Sequence, residues 1–154
     1  MKKSSLFSFV ALAAVVLASC SNPAALTRSG LNPADFESVY DGSQTCLHTL
    51  VNSSGMEVCI TNFGGRVVSV MVPDRDGVFR DVVLGFDKVS DYFPENNKTD
   101  FGASIGRYAN RINQGRFTLD GVEYQLPQNN FGHCLHGGPQ GWQYKVYDVI
   151  SHSD

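Results

Sequence analysis

Charged residues are scarce in this sequence, and none of them form a cluster of one sign. They make up 18% of the 154 residues, and the formal net charge is -3. No run of lysine and arginine follows Lys2 and Lys3. Binding to a nucleic acid requires clustered cations that neutralise phosphates. The sequence therefore predicts no nucleic-acid partner, and its charge balance is compatible with a neutral small molecule.

Cysteine is also scarce, and its spacing is not that of a metal site. The chain has four cysteines without a Cys-x-x-Cys motif, which argues against structural zinc. After Cys20 the remaining three are Cys46, Cys59 and Cys134, so at least one thiol has no intrachain partner. Cys46 and Cys59 could face each other across a hairpin, or the cysteines could be buried apolar thiols.

The apolar run at the N-terminus is too short for a confident membrane span. Lys2 and Lys3 precede an apolar stretch over 6–17, and small residues lead to Cys20. This order is similar to a bacterial lipoprotein signal, in which the Cys20 thiol is acylated and becomes the new N-terminus. The alternative is an ordinary secretory signal with an incidental cysteine. We expect residues 1–20 to be a signal peptide, and the protein to be exported. A lipid on Cys20 would anchor it to the outer or inner membrane, in the periplasm or at the cell surface.

No amphipathic helix of convincing length is present, and short β-rich runs alternate with turn residues instead. Asp120-Gly121 between two alternating arms predicts the clearest hairpin of the chain. Residues 88–93 could form one helical turn. We expect an all-β antiparallel β-sandwich over 41–154, preceded by a tether and lead-in segment over 21–40. The predicted strands are 46–51, 56–61, 67–72, 80–86, 116–119, 122–126 and 144–150.

Five short motifs occur in one order along the chain. They are NFGG (62–65), DVVLGF (81–86), GRYANRI (106–112), FTLDG (117–121) and LHGG (135–138). Together they resemble the aldose 1-epimerase (mutarotase) family, and the resemblance extends from about Val58 to Tyr147. GRYANRI and LHGG are separated by the hairpin, as in the family, which makes the combination specific.

The resemblance implies a galactose mutarotase-like β-sandwich, here its N-terminal part, that binds aldohexoses such as galactose and glucose. Such an enzyme interconverts the α and β anomers by acid and base catalysis of ring opening and closure. The chemistry requires no cofactor, although Ca²⁺ is associated with some exported relatives. We expect a monomer.

By the same resemblance, Arg111 and His136 match sugar-contacting residues, and Asn110 is the arginine's neighbour at the site. Arginine can bridge hydroxyls, and histidine can donate or accept near neutral pH. The family's second histidine and its catalytic glutamate belong to later motifs that do not occur here. We therefore predict no catalytic residue within these 154 residues, and expect an inactive, truncated chain. A carbohydrate-binding module without catalysis and a degenerate fragment are the alternatives.

Overall fold

The computed structural model of the chain describes residues 25–96 and 99–150. The predicted signal peptide and Cys20 lie outside these ranges. The described residues form ten β-strands, all antiparallel to their partners, and four short 3₁₀ turns, which confirms the predicted all-β antiparallel class. Among them there is no helix with the length and hydrophobicity needed to cross a bilayer. The strands are β1 (Ser38–Tyr40), β2 (Ser43–Thr45), β3 (Leu47–Val51), β4 (Glu57–Thr61), β5 (Arg66–Pro73), β6 (Phe79–Asp81), β7 (Arg111–Ile112), β8 (Arg116–Leu119), β9 (Val122–Gln125) and β10 (Cys134–Leu135). The 3₁₀ turns are Pro33–Phe36, Val89–Tyr92, Asn113–Gly115 and Trp142–Tyr144.

The largest sheet has four strands in the order β3-β4-β5-β6. Residues of β4 alternate between buried and half-buried positions, as expected for a strand with one face on a core. A register shift between Cys59 and Ile60 interrupts its pairing with β5. The β5–β6 connection is closed by Asp74, whose carboxylate accepts the backbone N–H groups of Asp76 and Val78 at 2.9 and 3.0 Å.

Three two-stranded pairs complete the described strands: β1–β2, β8–β9 and β10–β7. The β8–β9 hairpin turns at Asp120 and Gly121, as predicted, and pairs Leu119 with Val122. The sequence analysis did not identify β1–β2 or the two-residue strands β7 and β10, because pairs this short show little alternation.

The core lies against the four-stranded sheet and is rich in aromatic rings. Phe63 is fully buried, and its ring centroid lies 4.8 Å from that of Tyr40 and 5.0 Å from that of Phe93. Leu31 and Phe36 join the same cluster from the N-terminal side. The described part of the segment 21–40 thus contacts the domain, and the N–H of Arg28 donates to Glu57 at 2.7 Å.

Two strand predictions are wrong in extent. The predicted strand 80–86 ends at Asp81, because its carboxylate accepts the N–H groups of Val70 and Val83 and turns the chain. The predicted strand 144–150 is not a strand. It begins within a 3₁₀ turn and pairs only through an isolated bridge between Val146 and Phe63.

The cysteines do not pair across the hairpin. Cys59 lies opposite Thr49 in the β3–β4 register, and its thiol is buried and free. Cys46 Sγ instead lies 3.1 Å from His48 Nε2. Cys134 is likewise buried with a free thiol, so the alternative of buried thiols holds for Cys59 and Cys134.

Candidate functional site

The β10–β7 pair brings the three predicted site residues together. Its register places Leu135 opposite Arg111, and Asn110 and His136 lie immediately beside this pair. The backbone N–H of Asn110 donates to His136 Nδ1 at 3.0 Å, and the N–H of His136 donates to the Asn110 carbonyl at 3.0 Å. Both residues have a positive φ, at 63° and 52°, a region in which Asn and His are enriched among non-glycine residues. Two segments 26 residues apart are therefore joined by reciprocal hydrogen bonds.

These contacts fix the hydrogen-bonding role of the His136 ring. A backbone N–H can only donate, so Nδ1 must accept and cannot carry a proton in that geometry. The neutral ring therefore holds its proton on Nε2. His136 thus presents a hydrogen-bond donor through Nε2, the atom that could meet a ligand oxygen.

Arg111 is exposed and is oriented by one side chain. Its Nε donates to Asn130 Oδ1 at 3.0 Å. The ion pairs among the described residues are Arg80–Asp74 and Arg116–Glu123, so no carboxylate of this part of the chain neutralises Arg111. Its terminal amino groups can therefore serve a ligand. No sequence pattern indicated Asn130, whose side chain makes this contact.

A cleft of about 910 Å³ adjoins the pair and includes Arg111. Asn110 and His136 are not in its lining, although Gly137, the neighbour of His136, is. The polar and apolar groups of the lining suit a ligand with both hydroxyls and an apolar face. Within the described residues the lining has no aspartate or glutamate. It consists of Gly106, Arg107, Tyr108, Arg111, Ile112, Phe117, Leu126, Cys134, Gly137, Gln140, Trp142 and Lys145.

Close approaches of neighbouring atoms explain Gly106 of GRYANRI and Gly137 of LHGG. A Cβ on Gly137 would collide with the carbonyl oxygen of Gly106, and a Cβ on Gly106 would collide with the Trp142 ring. The backbone N–H of Trp142 also donates to the Gly106 carbonyl at 3.1 Å. The guanidinium carbon of Arg107 lies 5.8 Å from the centroid of the Trp142 ring. Trp142, the single tryptophan of the chain, is a further residue that the sequence analysis did not identify.

Two other kinds of chemistry find little support in the described residues. Burial raises the pKa of the Cys134 thiol at the cleft wall, which keeps it protonated and poorly nucleophilic. No group of three or more His, Cys, Asp or Glu side chains in residues 25–96 and 99–150 is placed to hold a metal ion. The arrangement can donate hydrogen bonds and stabilise negative charge on an oxygen.

The described residues combine antiparallel sheets with a short strand pair that carries an arginine and a histidine beside a mixed polar and aromatic cleft. They are of the galactose mutarotase-like class. The chain belongs to the aldose 1-epimerase family, whose model, described as "Aldose 1-epimerase", matches residues 47–154.

Named relatives agree with this assignment. The chain is 43% identical over 101 residues to the galactose mutarotase of Bos taurus, covering 66% of this chain and 29% of the relative. It is 36% identical over 114 residues to the aldose 1-epimerase of Escherichia coli, covering 74% and 32%. A probable aldose 1-epimerase of Arthroderma benhamiae is 44% identical over 96 residues, covering 60% and 22%. The chain thus spans about a third or less of these relatives.

Solved structures confirm the mutarotase-like fold. An aldose epimerase homologue from C. elegans superimposes with a TM-score of 0.66 at 33% identity, covering 71% of this chain and 33% of the other. A galactose 1-epimerase from Lactobacillus acidophilus gives a TM-score of 0.64 at 28% identity, covering 76% and 33%.

Proposed function

We propose that this chain contributes to an enzyme that interconverts the α and β anomers of an aldohexose such as galactose or glucose. The observation that carries the proposal is the pair of hydrogen bonds between Asn110 and His136. In a member of the aldose 1-epimerase family, these bonds bring Arg111 and His136 to one strand edge beside a cleft.

The proposed reaction needs only proton transfers and the breaking and re-forming of one C–O bond of the sugar ring. A base removes the proton of the anomeric hydroxyl while an acid protonates the ring oxygen, so the bond from C1 to that oxygen breaks and an aldehyde forms. Rotation about C1–C2 and ring closure on the other face complete the exchange. In this scheme His136 donates through Nε2 to a sugar oxygen, and Arg111 stabilises negative charge as it develops on oxygen.

The described lining offers no carboxylate to act as the base. We therefore propose that residues 1–154 alone bind an aldohexose but do not exchange its anomers, because binding accelerates a reaction only if it favours the transition state. Polarimetry of fresh α-D-galactose tests this directly. The optical rotation should relax at the rate of the buffer, and a rate that rises in proportion to chain concentration would contradict the proposal.

A chimera distinguishes part of an enzyme from a carbohydrate-binding module. Residues 47–154 would replace the matching segment of the Escherichia coli relative, with folding verified by circular dichroism. The chimera should accelerate anomer exchange. Arg111→Ala or His136→Ala should each lower kcat/KM by about 30- to 1000-fold, equivalent to roughly 2–4 kcal/mol. A folded chimera that binds galactose without exchange would favour the binding module.

The same chimera tests the proposed independence from a cofactor. EDTA should leave its rate unchanged, because proton transfer needs no metal ion. A rate that EDTA abolishes and Ca²⁺ restores would show that calcium takes part.

Light scattering should give the mass of a monomer for the chain itself.

We further propose that Cys20 is acylated and anchors the exported protein to a membrane, at the periplasmic or outer surface. The support is the order of basic, apolar and small residues before Cys20. Mass spectrometry of membrane-extracted protein should find the acylated cysteine at the new N-terminus. A Cys20→Ala variant that still partitions with membranes would refute the anchor.

A further inference from the structure

Arg66 is a fully buried cation in the first half of the domain, and its guanidinium reaches two distant segments. One terminal nitrogen, Nη1, donates to the carbonyls of Thr99 and Phe101 at 3.3 and 3.1 Å. The other, Nη2, donates to the carbonyl of Gln143 at 3.0 Å. The first segment leads into GRYANRI, and the second follows LHGG. Arg66 therefore connects the core sheet to both halves of the candidate site.

This placement is energetically demanding. No carboxylate of the described residues forms an ion pair with Arg66, and desolvation by burial lowers the pKa of its guanidinium. An arginine nevertheless stays charged in proteins, so its burial must be compensated. The charge of Asp100 opposes the desolvation, and hydrogen bonds and ring faces add to it. Phe63 and Tyr92 supply those faces, with centroids 5.5 and 5.2 Å from the guanidinium carbon. A lysine ammonium is a compact donor and could not replace the planar fork that serves three carbonyls.

Gln143 links Arg66 to the candidate site. Its side chain is 1% exposed, and Nε2 donates to the His136 carbonyl at 3.0 Å. Glycines make room for it, since a Cβ on Gly141 would collide with both Gln143 Oε1 and the His136 carbonyl. A continuous series of hydrogen bonds thus runs from Arg66 through Gln143 to His136, and from the His136 ring to Asn110.

We infer that Arg66 and Gln143 are positioning residues, which hold the backbone of His136 so that its Nδ1 faces the Asn110 N–H and its Nε2 is presented to the ligand. The catalytic meaning of this inference rests on the proposed function. The positioning itself is measurable without any sugar, so the two can fail separately.

Amide hydrogen exchange, followed by NMR on the full chain, tests the inference. Gln143→Met keeps the length of the side chain and removes the donor to His136. Protection of the Asn110 and His136 amides should fall about tenfold, the effect of losing one buried hydrogen bond on local opening. Protection of the β4 and β5 amides should not change. Arg66→Lys, a second variant that keeps the charge, should show the same local pattern, together with a fall at Ala103 and Ser104.

Thr45→Val is the matched control, because Thr45 is also fully buried and donates to a backbone carbonyl, that of Phe36 at 2.8 Å, far from the site. It should lower protection around β1 and β2 without a selective effect at Asn110 and His136. Wild-type protection at both amides in Gln143→Met and Arg66→Lys, or a uniform fall throughout the molecule, would overturn the inference. If the local fall occurs but galactose leaves the site resonances unchanged, the positioning stands and the proposed function fails.

Discussion

The two halves of the described chain are built by different forces. In residues 31–93, apolar side chains from β4, β5 and the 3₁₀ turns are buried together, and Phe36, Phe63 and Tyr92 are fully enclosed. In residues 105–150, every residue of β8 and β9 is exposed. We refer to these as the core region and the site region.

Backbone hydrogen bonds attach the site region and the segment before it to the core region, and Val146 adds an apolar contact with the core cluster. The Gly64 N–H donates to the carbonyl of Lys145 in the site region at 2.7 Å. Just before that region, the Val67 N–H donates to the Gly102 carbonyl at 3.0 Å and the Ser104 N–H to the Gly64 carbonyl at 2.9 Å. The hydrophobic effect is non-directional, whereas hydrogen bonds fix distance and angle. The comparison indicates that burial in the core region supplies most of the stability. The geometry of the site region depends instead on individual hydrogen bonds.

The largest expected effect is a difference in the free energy of unfolding between substitutions in the two regions. Phe63→Ala should lower the free energy of unfolding by about 3–5 kcal/mol, because it removes a fully buried ring from the aromatic cluster. Phe131→Ala, in the site region at 93% exposure, should change it by less than about 0.5 kcal/mol. Urea denaturation of both variants measures the contrast. Equal destabilisation would contradict the assignment of stability to the core region.

An intermediate effect should be confined to the site region. Gly137→Ala places a Cβ against the Gly106 carbonyl at a φ of 81°, so the two site loops must separate. Gly121→Ala is the control, because its φ of 77° imposes similar backbone strain with no atom within 4 Å of the new Cβ. NMR shifts at Asn110 and His136 should change in the first variant and not in the second. Unchanged shifts in Gly137→Ala would show that the close approach is unimportant.

The smallest expected effect is a pH dependence of the stability that Asp74 contributes to the core region. Hydrogen bonds from the backbone N–H of Val78, and then of Asp76, lower the pKa of Asp74 in the folded state. The ionised form is therefore favoured by folding, and its contribution is present above the ordinary aspartate value of 3.8. That contribution to stability is lost as the pH falls from the ordinary aspartate pKa through the lower pKa of Asp74 in the folded state.

Asp74→Asn should accordingly be less stable than the wild type at neutral pH, and the difference should shrink in acid. Asp76→Asn is the control, because the Asp76 carboxylate makes no hydrogen bond to the described residues. Thermal unfolding across this pH range provides the measurement. A difference that grows as the pH falls would contradict the sign of the argument.

The sequence predicts the core region well for a physical reason. Strand β4 buries alternate residues, and β5 does so apart from one interruption, so both show the period of a strand. The end of β5 also coincides with the turn residues Asp74 and Gly77. The β8–β9 hairpin was also predictable, since Asp120-Gly121 specifies a tight turn whatever the burial of the strands.

Prediction fails where tertiary hydrogen bonds replace burial. The segment 144–150 has a strand-like composition, but only Lys145, Val146 and Tyr147 pair with the chain around Phe63. The resemblance, and not periodicity, indicates Arg111 and His136 as candidate site residues. Arg66, Gln143 and Asn130 make their side-chain hydrogen bonds to residues distant in the sequence, which no local pattern encodes.

The most direct test of the account is a titration of the ¹⁵N-labelled chain with D-galactose, monitored by NMR. We predict saturable shifts at the Arg111 Nε–H, the His136 ring and the Asn110 amide, with the β4 and β5 amides unaffected. Galactitol, which cannot form the ring, is the control ligand and should not reproduce them, and Arg111→Ala should abolish the saturation. An absence of shifts at all three groups, or saturable shifts confined to the core region, would contradict the claim that Arg111 and His136, at the β10–β7 strand pair, bind the sugar.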